Sequence, residues 1–268
     1  ISRSVIASFI MSLFKIKHFL EIHHELTGMT KFLFIDLKMI YSKYIINIIF
    51  ISSKLKKKFQ YLNLKNSKVM HDAVDIKNFK HKKFVLKKIK RVLYIGSFYN
   101  GRGIELIFDL ALKNPNLEFY LYGLRNENIK RNKSKNLRIF RHVNYEMVPK
   151  IIMNSDILLM PYSKKTFINA VEINTADYCS PLKMFDYLAG AKIILSSKLS
   201  GICEILKNNY NSIIVNSEKV NSWNKKLKFI IKNKNIQRKI RLNSLVTAKN
   251  NTWETRAKNY LKFYLQKN

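Results

Sequence analysis

The stretch Arg91-Val92-Leu93-Tyr94-Ile95-Gly96-Ser97-Phe98-Tyr99-Asn100-Gly101-Arg102-Gly103-Ile104-Glu105-Leu106-Ile107 decides the fold of this chain. An apolar run stops at Gly96, a loop of small and polar residues follows, and apolar residues then recur at helical spacing. That order is the start of a βα unit. The helix reads as Ile104–Lys113, with Ile104, Ile107, Phe108, Ala111 and Leu112 on one face. Amides at a helix start carry partial positive charge and point outward, so the loop suits an anion. Arg102 would add a planar fork of donors. An ordinary βα turn with a solvated arginine fits the same residues, because glycine loops after strands are common.

Outward from this unit, short apolar strands alternate with amphipathic helices. Strands are expected at Phe19–His23, Ile48–Ser52, Val69–His71, Val92–Ile95, Phe119–Tyr122, Ile157–Met160, Ile193–Ser196 and Ile213–Val215. Strand, helix, strand in this order implies parallel sheets covered on both faces, hence an α/β fold of Rossmann-like, doubly wound domains. Residues 78–90 hold six lysines and His81 without periodicity and read as an exposed linker. The expected organisation is a first domain over 1–76, a linker over 77–90, a second domain over 91–250 and a helix over 251–268. Three strands are too few for a doubly wound sheet, so the first domain reads as the tail of a longer one, truncated at its N-terminus. No repeat of fixed period is present.

Composition narrows the classes. The chain has 268 residues, with 50 Lys or Arg against 17 Asp or Glu, a net charge of +33, and 47% hydrophobic residues. That apolar share excludes a disordered basic tail. The charge points to an anionic partner such as nucleic acid, anionic lipid or a phosphorylated ligand, yet the Lys, Ile and Asn bias produces much of it without any partner. Two cysteines, Cys179 and Cys203, exclude a disulfide scaffold, and no histidine spacing suits a metal. For Cys179 an inert small residue is preferred over a nucleophile. Arg3 before the apolar run at 5–14 has the look of a secretory leader, but no small-residue cleavage site follows. A buried helix leading into the first strand is expected instead. No stretch reaches the roughly 20 apolar residues of a membrane span.

A second local pattern is Tyr178-Cys179-Ser180-Pro181-Leu182-Lys183-Met184-Phe185-Asp186-Tyr187-Leu188-Ala189-Gly190. Ser180 suits an N-cap, Pro181 the first helical position, and Gly190 the stop. Leu182, Phe185 and Leu188 form the expected buried stripe. Lys183 and Asp186 fall three apart on one face. They are either a surface ion pair or an anion-and-hydroxyl site, in which the carboxylate takes two vicinal hydroxyls such as a ribose offers. A strand and Gly201-Ile202-Cys203-Glu204-Ile205-Leu206 follow.

In this order the motifs resemble the donor half of the retaining, two-domain glycosyltransferases of family four, with the B-type fold, in a Ser-Pro-x-Lys variant. Met160-Pro161-Tyr162 is similar to that family's strand-end proline, residues 69–79 to its link between domains, and Trp253-Glu254 to the start of its last helix. The resemblance implies that Gly96, Ser97, Arg102 and Gly103 hold the diphosphate of a nucleotide sugar. It places Ser180, Pro181, Leu182 and Lys183 at the sugar and phosphate, Asp186 at the ribose, and Gly123 and Val143 at the base. His23 matches the histidine of the first domain's cleft face. The chain departs from many members in having Ser97 for an arginine, Arg102 for a lysine, and Tyr178 for the first of two glutamates eight apart.

The implied activity is transfer of a hexosyl or related sugar from a nucleoside diphosphate to a hydroxyl of a glycan or lipid-linked acceptor, with retention. Neither cofactor nor metal is implied. Arg102, Lys183 and helix amides would stabilise the departing diphosphate. A cytoplasmic enzyme of cell-envelope polysaccharide synthesis is expected, peripheral on an anionic inner membrane face. The alternatives are a nucleotide-sugar epimerase of the same fold, a binding-only relic, and a basic nucleic-acid-binding protein. The last needs cations clustered with exposed aromatics, whereas here the cations spread along every helix.

Overall fold

The computed structural model describes residues 1–81, 85–124, 134–168 and 171–266. The chain forms two compact units, one of Ile1–Asp72, Tyr178–Ser180 and Trp253–Asn268, the other of Ala73–Asp177 and Pro181–Thr252.

The first unit contains α1 (Val5–Leu13), β1 (His18–Ile22), α2 (Gly28–Lys31), β2 (Ile45–Phe50), α3 (Ser53–Lys58) and β3 (Ser67–Val69). The strands form one parallel sheet in the order β1-β2-β3, and Ser2 bridges to Leu20 at the free edge of β1. Strand alternation splits the apolar residues between the two faces. Leu20, Ile22, Ile48 and Phe50 pack with Phe34 and Leu55, while Phe19 and Ile49 pack with Tyr260. Tyr260 comes from the last helix, Trp253–Leu265.

α1 is not the buried helix its composition suggests. It turns Val5, Ser8 and Ser12 inward, and Ser8 bonds His18 Nε2 at 2.6 Å. Ile6, Ile10 and Leu13 stay exposed. Which residues face the sheet, and not how many are apolar, decides the buried side.

The second unit contains β4 (Arg91–Ile95), α4 (Ile104–Lys113), β5 (Glu118–Leu124), β6 (Leu137–Arg141), α5 (Val148–Met153), β7 (Ile157–Met160), β8 (Phe167–Ile168), β9 (Val171–Asn174), α6 (Leu182–Ala189), β10 (Ile193–Ser197), β11 (Ile213–Val215), α7 (Val220–Lys232) and α8 (Lys234–Asn250). Six strands form one parallel sheet, β11-β10-β7-β4-β5-β6, and β8 and β9 form a short antiparallel pair. The chain leaves β4 toward β5 and β6 on one side and returns to β7, β10 and β11 on the other. The C-terminal ends of β4 and β7 therefore mark the point where a doubly wound sheet opens a crevice.

Several expectations change here. β6 is a strand that the sequence pattern does not announce, because Arg138 and Arg141 interrupt its apolar run. It is an edge strand with one wet face, and Leu137 and Ile139 alone pack on the core. In α4 the buried residues are Ile104, Ile107, Leu110 and Ala111, while Leu112 lies outside the stripe and is exposed. Residues 77–90 are not wholly an exposed linker, since Phe79 and Ile89 are buried; residues 82–84 of that segment lie outside the described residues. Among the described residues, no helix is long and apolar enough to cross a membrane.

Candidate active site

The glycine loop sits at the crevice. β4 ends at Ile95, and Gly96 follows with φ +140°. Its N–H donates to the Tyr122 carbonyl at 2.9 Å, which ties the loop to β5. Gly123 is the penultimate residue of β5, at an irregularity between Tyr122 and Leu124. The two glycine backbones meet so closely that a Cβ on Gly123 would stand 2.0 Å from the Gly96 carbonyl oxygen. The Ser97 carbonyl accepts from the Tyr94 hydroxyl at 2.8 Å, and Gly103 is the N-cap of α4.

α6 brings the second group of residues. The Ile95 N–H donates to the Tyr187 hydroxyl at 3.0 Å, and that hydroxyl donates to the Leu159 carbonyl at 3.4 Å. This buried tyrosine pins the helix to β4 and β7, a role that a buried Tyr in a helical stripe signals. Pro181, not Ser180, is the N-cap, and no side chain caps the helix, so its first amides remain open to other acceptors. Ser180 Oγ is buried without a hydrogen-bond partner among the described residues. Leu182 is exposed and not part of the buried stripe, which comprises the six residues 184–189. Gly190 does not adopt the left-handed stop, for Ala191 takes that conformation one residue later.

Lys183 and Asp186 do not pair with each other. The stem of Lys183 is half-buried, and its Nζ is sealed from solvent without a hydrogen-bond partner among the described residues. Nζ lies 4.0 Å from the Tyr94 ring centroid and 5.3 Å from that of Tyr162. Arg102 stands 4.6 Å from the same Tyr162 ring. Burial, and then the charge of Arg102, hold the Lys183 ammonium well below the usual lysine range. Neither cation has a carboxylate partner among the described residues. A buried ammonium in this state is costly and gains most from a bound anion.

Asp186 is 6% exposed, and its Oδ1 accepts from the Tyr145 hydroxyl at 2.9 Å. Burial pushes its carboxyl up to about 6, against the opposing effect of that hydrogen bond. A cavity of about 140 Å³ gathers Gly96, Gly123, Val143, Lys183 and Asp186 with Ile95, Tyr122 and His142. Five of the expected site residues thus share one cavity. A larger cavity of about 320 Å³ adjoins Gly103 and Tyr162, but Glu105, Asp109 and Glu218 line it and would repel a phosphate. A third, of about 270 Å³, lies against Arg91, Lys150 and Asn154.

His23 belongs to the first unit, just past β1, and its Nε2 lies 3.0 Å from Glu21 Oε2. Glu21 also meets Arg3 Nε at 3.0 Å, Arg256 Nη1 at 2.7 Å and the Tyr260 hydroxyl. Burial alone would raise the Glu21 carboxyl. The hydrogen bonds from His23, Tyr260 and Arg256, with the charge of Arg256, instead hold it far below the ordinary range. Tyr178, standing where many family members have a glutamate, is buried, and its carbonyl accepts from Ser52 Oγ at 2.8 Å. Burial first pushes its phenol up to about 12. Among the described residues, no three His, Cys, Asp or Glu side chains group as metal ligands.

The aromatic parts of the site, Tyr94, Tyr145, Tyr162 and Tyr187, have roles that the sequence alone does not assign. Those roles depend on where the hydroxyls and rings end in space. The one signal in the sequence is a tyrosine at a position otherwise reserved for aliphatic core.

Comparison with known proteins bears on the same arrangement. The model of the family "Glycosyl transferases group 1" matches residues 75–245, more than half of the chain. No curated protein sequence matches significantly. Among solved structures, sucrose-phosphate synthase from Thermosynechococcus elongatus aligns with a TM-score of 0.75 at 12% identity, over 98% of this chain and 72% of its own. HepE of Anabaena, solved with UDP-glucose, aligns at 0.73 and 13% identity, over 98% and 76%. A glycosyltransferase of Rickettsia africae aligns at 0.70 and 12%, over 97% and 79%. The fold is that of the B-type glycosyltransferases, with two parallel sheets, and the chain belongs to the glycosyl transferases group 1.

Proposed function

We propose that this glycosyltransferase moves a sugar from a nucleoside diphosphate to a hydroxyl of a glycan or lipid-linked acceptor, with retention at the anomeric carbon. One observation carries the donor class. Lys183 and Arg102 flank a single buried tyrosine ring beside Gly96, with no carboxylate among the described residues to neutralise them. A diphosphate supplies the missing charge, and a departing diphosphate is stabilised by the same cations and by the open amides of α6. The fold relative HepE was solved with UDP-glucose, which supports a nucleotide sugar as donor. Asp186 would accept from ribose hydroxyls, and Gly123 and Val143 would border the base. Ser97, Gly103, Ser180, Pro181 and Leu182 complete the donor residues, and His23 is the catalytic residue proposed for the first unit. No cofactor or metal enters this scheme.

The test is release of nucleoside diphosphate from UDP-, GDP- and ADP-sugars by the full chain, with the anomeric configuration of product followed by NMR. Release from none of them overturns the donor class, and an inverted product overturns retention.

A specific observation favours work at a membrane surface. The exposed Ile6, Ile10, Leu13 and Phe14 adjoin Lys15 and Lys17 in the first unit. Apolar side chains with a cationic rim suit an anionic lipid face, at about 1 kcal/mol per nearby cation. Vesicle co-sedimentation that shows no preference for anionic lipid removes this part of the proposal.

A further inference from the structure

Asp186 is a buried carboxylate lining the cavity of about 140 Å³, and the Tyr145 hydroxyl donates a hydrogen bond to it. Tyr145 opens a single helical turn, Tyr145–Met147, two residues beyond Val143. Its ring is half in solvent, so its burial does not explain its position. What fixes it is the 2.9 Å bond from its hydroxyl to Oδ1 of Asp186. With Oδ1 so engaged, Oδ2 keeps its accepting capacity, with no hydrogen-bond partner among the described residues.

We infer that Tyr145 is a positioning residue for Asp186: its hydroxyl holds the carboxylate ionised and oriented, so that the free oxygen accepts from the ribose hydroxyls of the donor. This rests on the donor reading given above. The chemistry is direct. A hydrogen bond to the charged form favours ionisation, and its loss lets burial raise the carboxyl further. A protonated Asp186 would offer a donor where two vicinal hydroxyls need an acceptor.

Other groups near Asp186 are few. Tyr187 lies on its own helix and Tyr145 across from it, both neutral at physiological pH, their phenols pushed up foremost by burial. Lys183 and His142 line the same cavity, and Asp75 acts on Tyr145 through its charge. Because Lys183 and the phosphates also titrate, the quantity to read is the ratio of variant to wild-type affinity at each pH.

The experiment titrates UDP, GDP and ADP into the full chain by calorimetry and takes the tightest binder forward, from pH 5 to pH 9, with wild type, Tyr145→Phe and Asp186→Asn. Wild-type affinity is expected to rise through about pH 6. Tyr145→Phe is expected to move that rise upward by about one pH unit, so the variant binds about ten-fold more weakly at pH 5 and within about two-fold at pH 9. With the corresponding 2′,3′-dideoxynucleotide the penalty should vanish. A Tyr145→Phe ratio that does not change with pH, or an equal penalty with the dideoxynucleotide, overturns the positioning role. Absence of binding by the wild type, or an Asp186→Asn variant that binds like it, overturns the donor reading itself and this inference with it.

Discussion

The ammonium of Lys183 fills the space that a side chain on Gly96 would need: a Cβ there would stand 2.3 Å from Nζ and 2.7 Å from Cε. Gly96→Ala therefore removes Lys183 from its place beside the loop. The backbone at φ +140° adds strain of about 1–3 kcal/mol. The variant should fold with a lowered melting temperature and bind nucleoside diphosphate about ten-fold more weakly, in line with loss of one charged hydrogen bond. Thermal unfolding and calorimetry together check it. Undiminished affinity would show that Lys183 does not need its present position.

Lys183 itself should display a conflict between stability and function. Its pKa in the folded protein lies well below the unfolded value, so the unfolded chain binds the extra proton and stability rises with pH across that window. Lys183→Met removes the buried amine, and with it this slope. The variant is expected to be at least as stable as wild type at pH 7 and to lose donor affinity. Unfolding curves from pH 7 to pH 10 read the slope, and a variant less stable at pH 7 would contradict the burial argument.

Asp186 gives the opposite window. Its folded pKa of about 6 lies above the unfolded value of 3.8, so its protonated form favours folding at low pH. That contribution is full below pH 3.8 and lost as pH rises through about 6. Asp186→Asn should thus stabilise the apoprotein at pH 7 relative to wild type and flatten the acid side of its stability profile. Denaturant titrations at pH 5 and pH 7.5 separate the two proteins, and equal differences at both pH values would count against a raised carboxyl.

Glu21 should matter to the first unit alone. It is buried among Arg3, Arg256, His23 and Tyr260, and its folded pKa lies far below 4.5. Its contribution is complete above pH 4.5 and falls away as pH drops below that value. Glu21→Gln leaves Arg256 buried without this ion pair, at a cost of about 3 kcal/mol. Denaturant unfolding at pH 7 should show that loss, and the loss should shrink toward pH 3.

Much of this architecture is legible in the sequence. Strand-end Gly96, the helix Ile104–Lys113 and the pair Lys183 and Asp186 can be read because short-range periodicity and glycine placement set them. β6 escapes because Arg138 and Arg141 interrupt the apolar run of this edge strand. α1 misleads because apolar content says nothing about which side turns inward, and Ser8 finds His18. The cage of Tyr94 and Tyr162 around Lys183 joins residues from three separate segments, a juxtaposition that spacing cannot reveal. The +33 charge overstates any polyanion, since Arg102 and Lys183 are the cations that stand at the glycine loop without a described counterion.

The donor-site claim rests on those two cations, and calorimetric titration of UDP, GDP and ADP into wild type and Arg102→Ala tests it most directly. The account predicts that at least one diphosphate binds the wild type and that the variant loses about ten-fold or more in affinity, as a charged hydrogen bond removed from a low-dielectric site requires. Binding of none of the three, or equal affinity in both proteins, would contradict it.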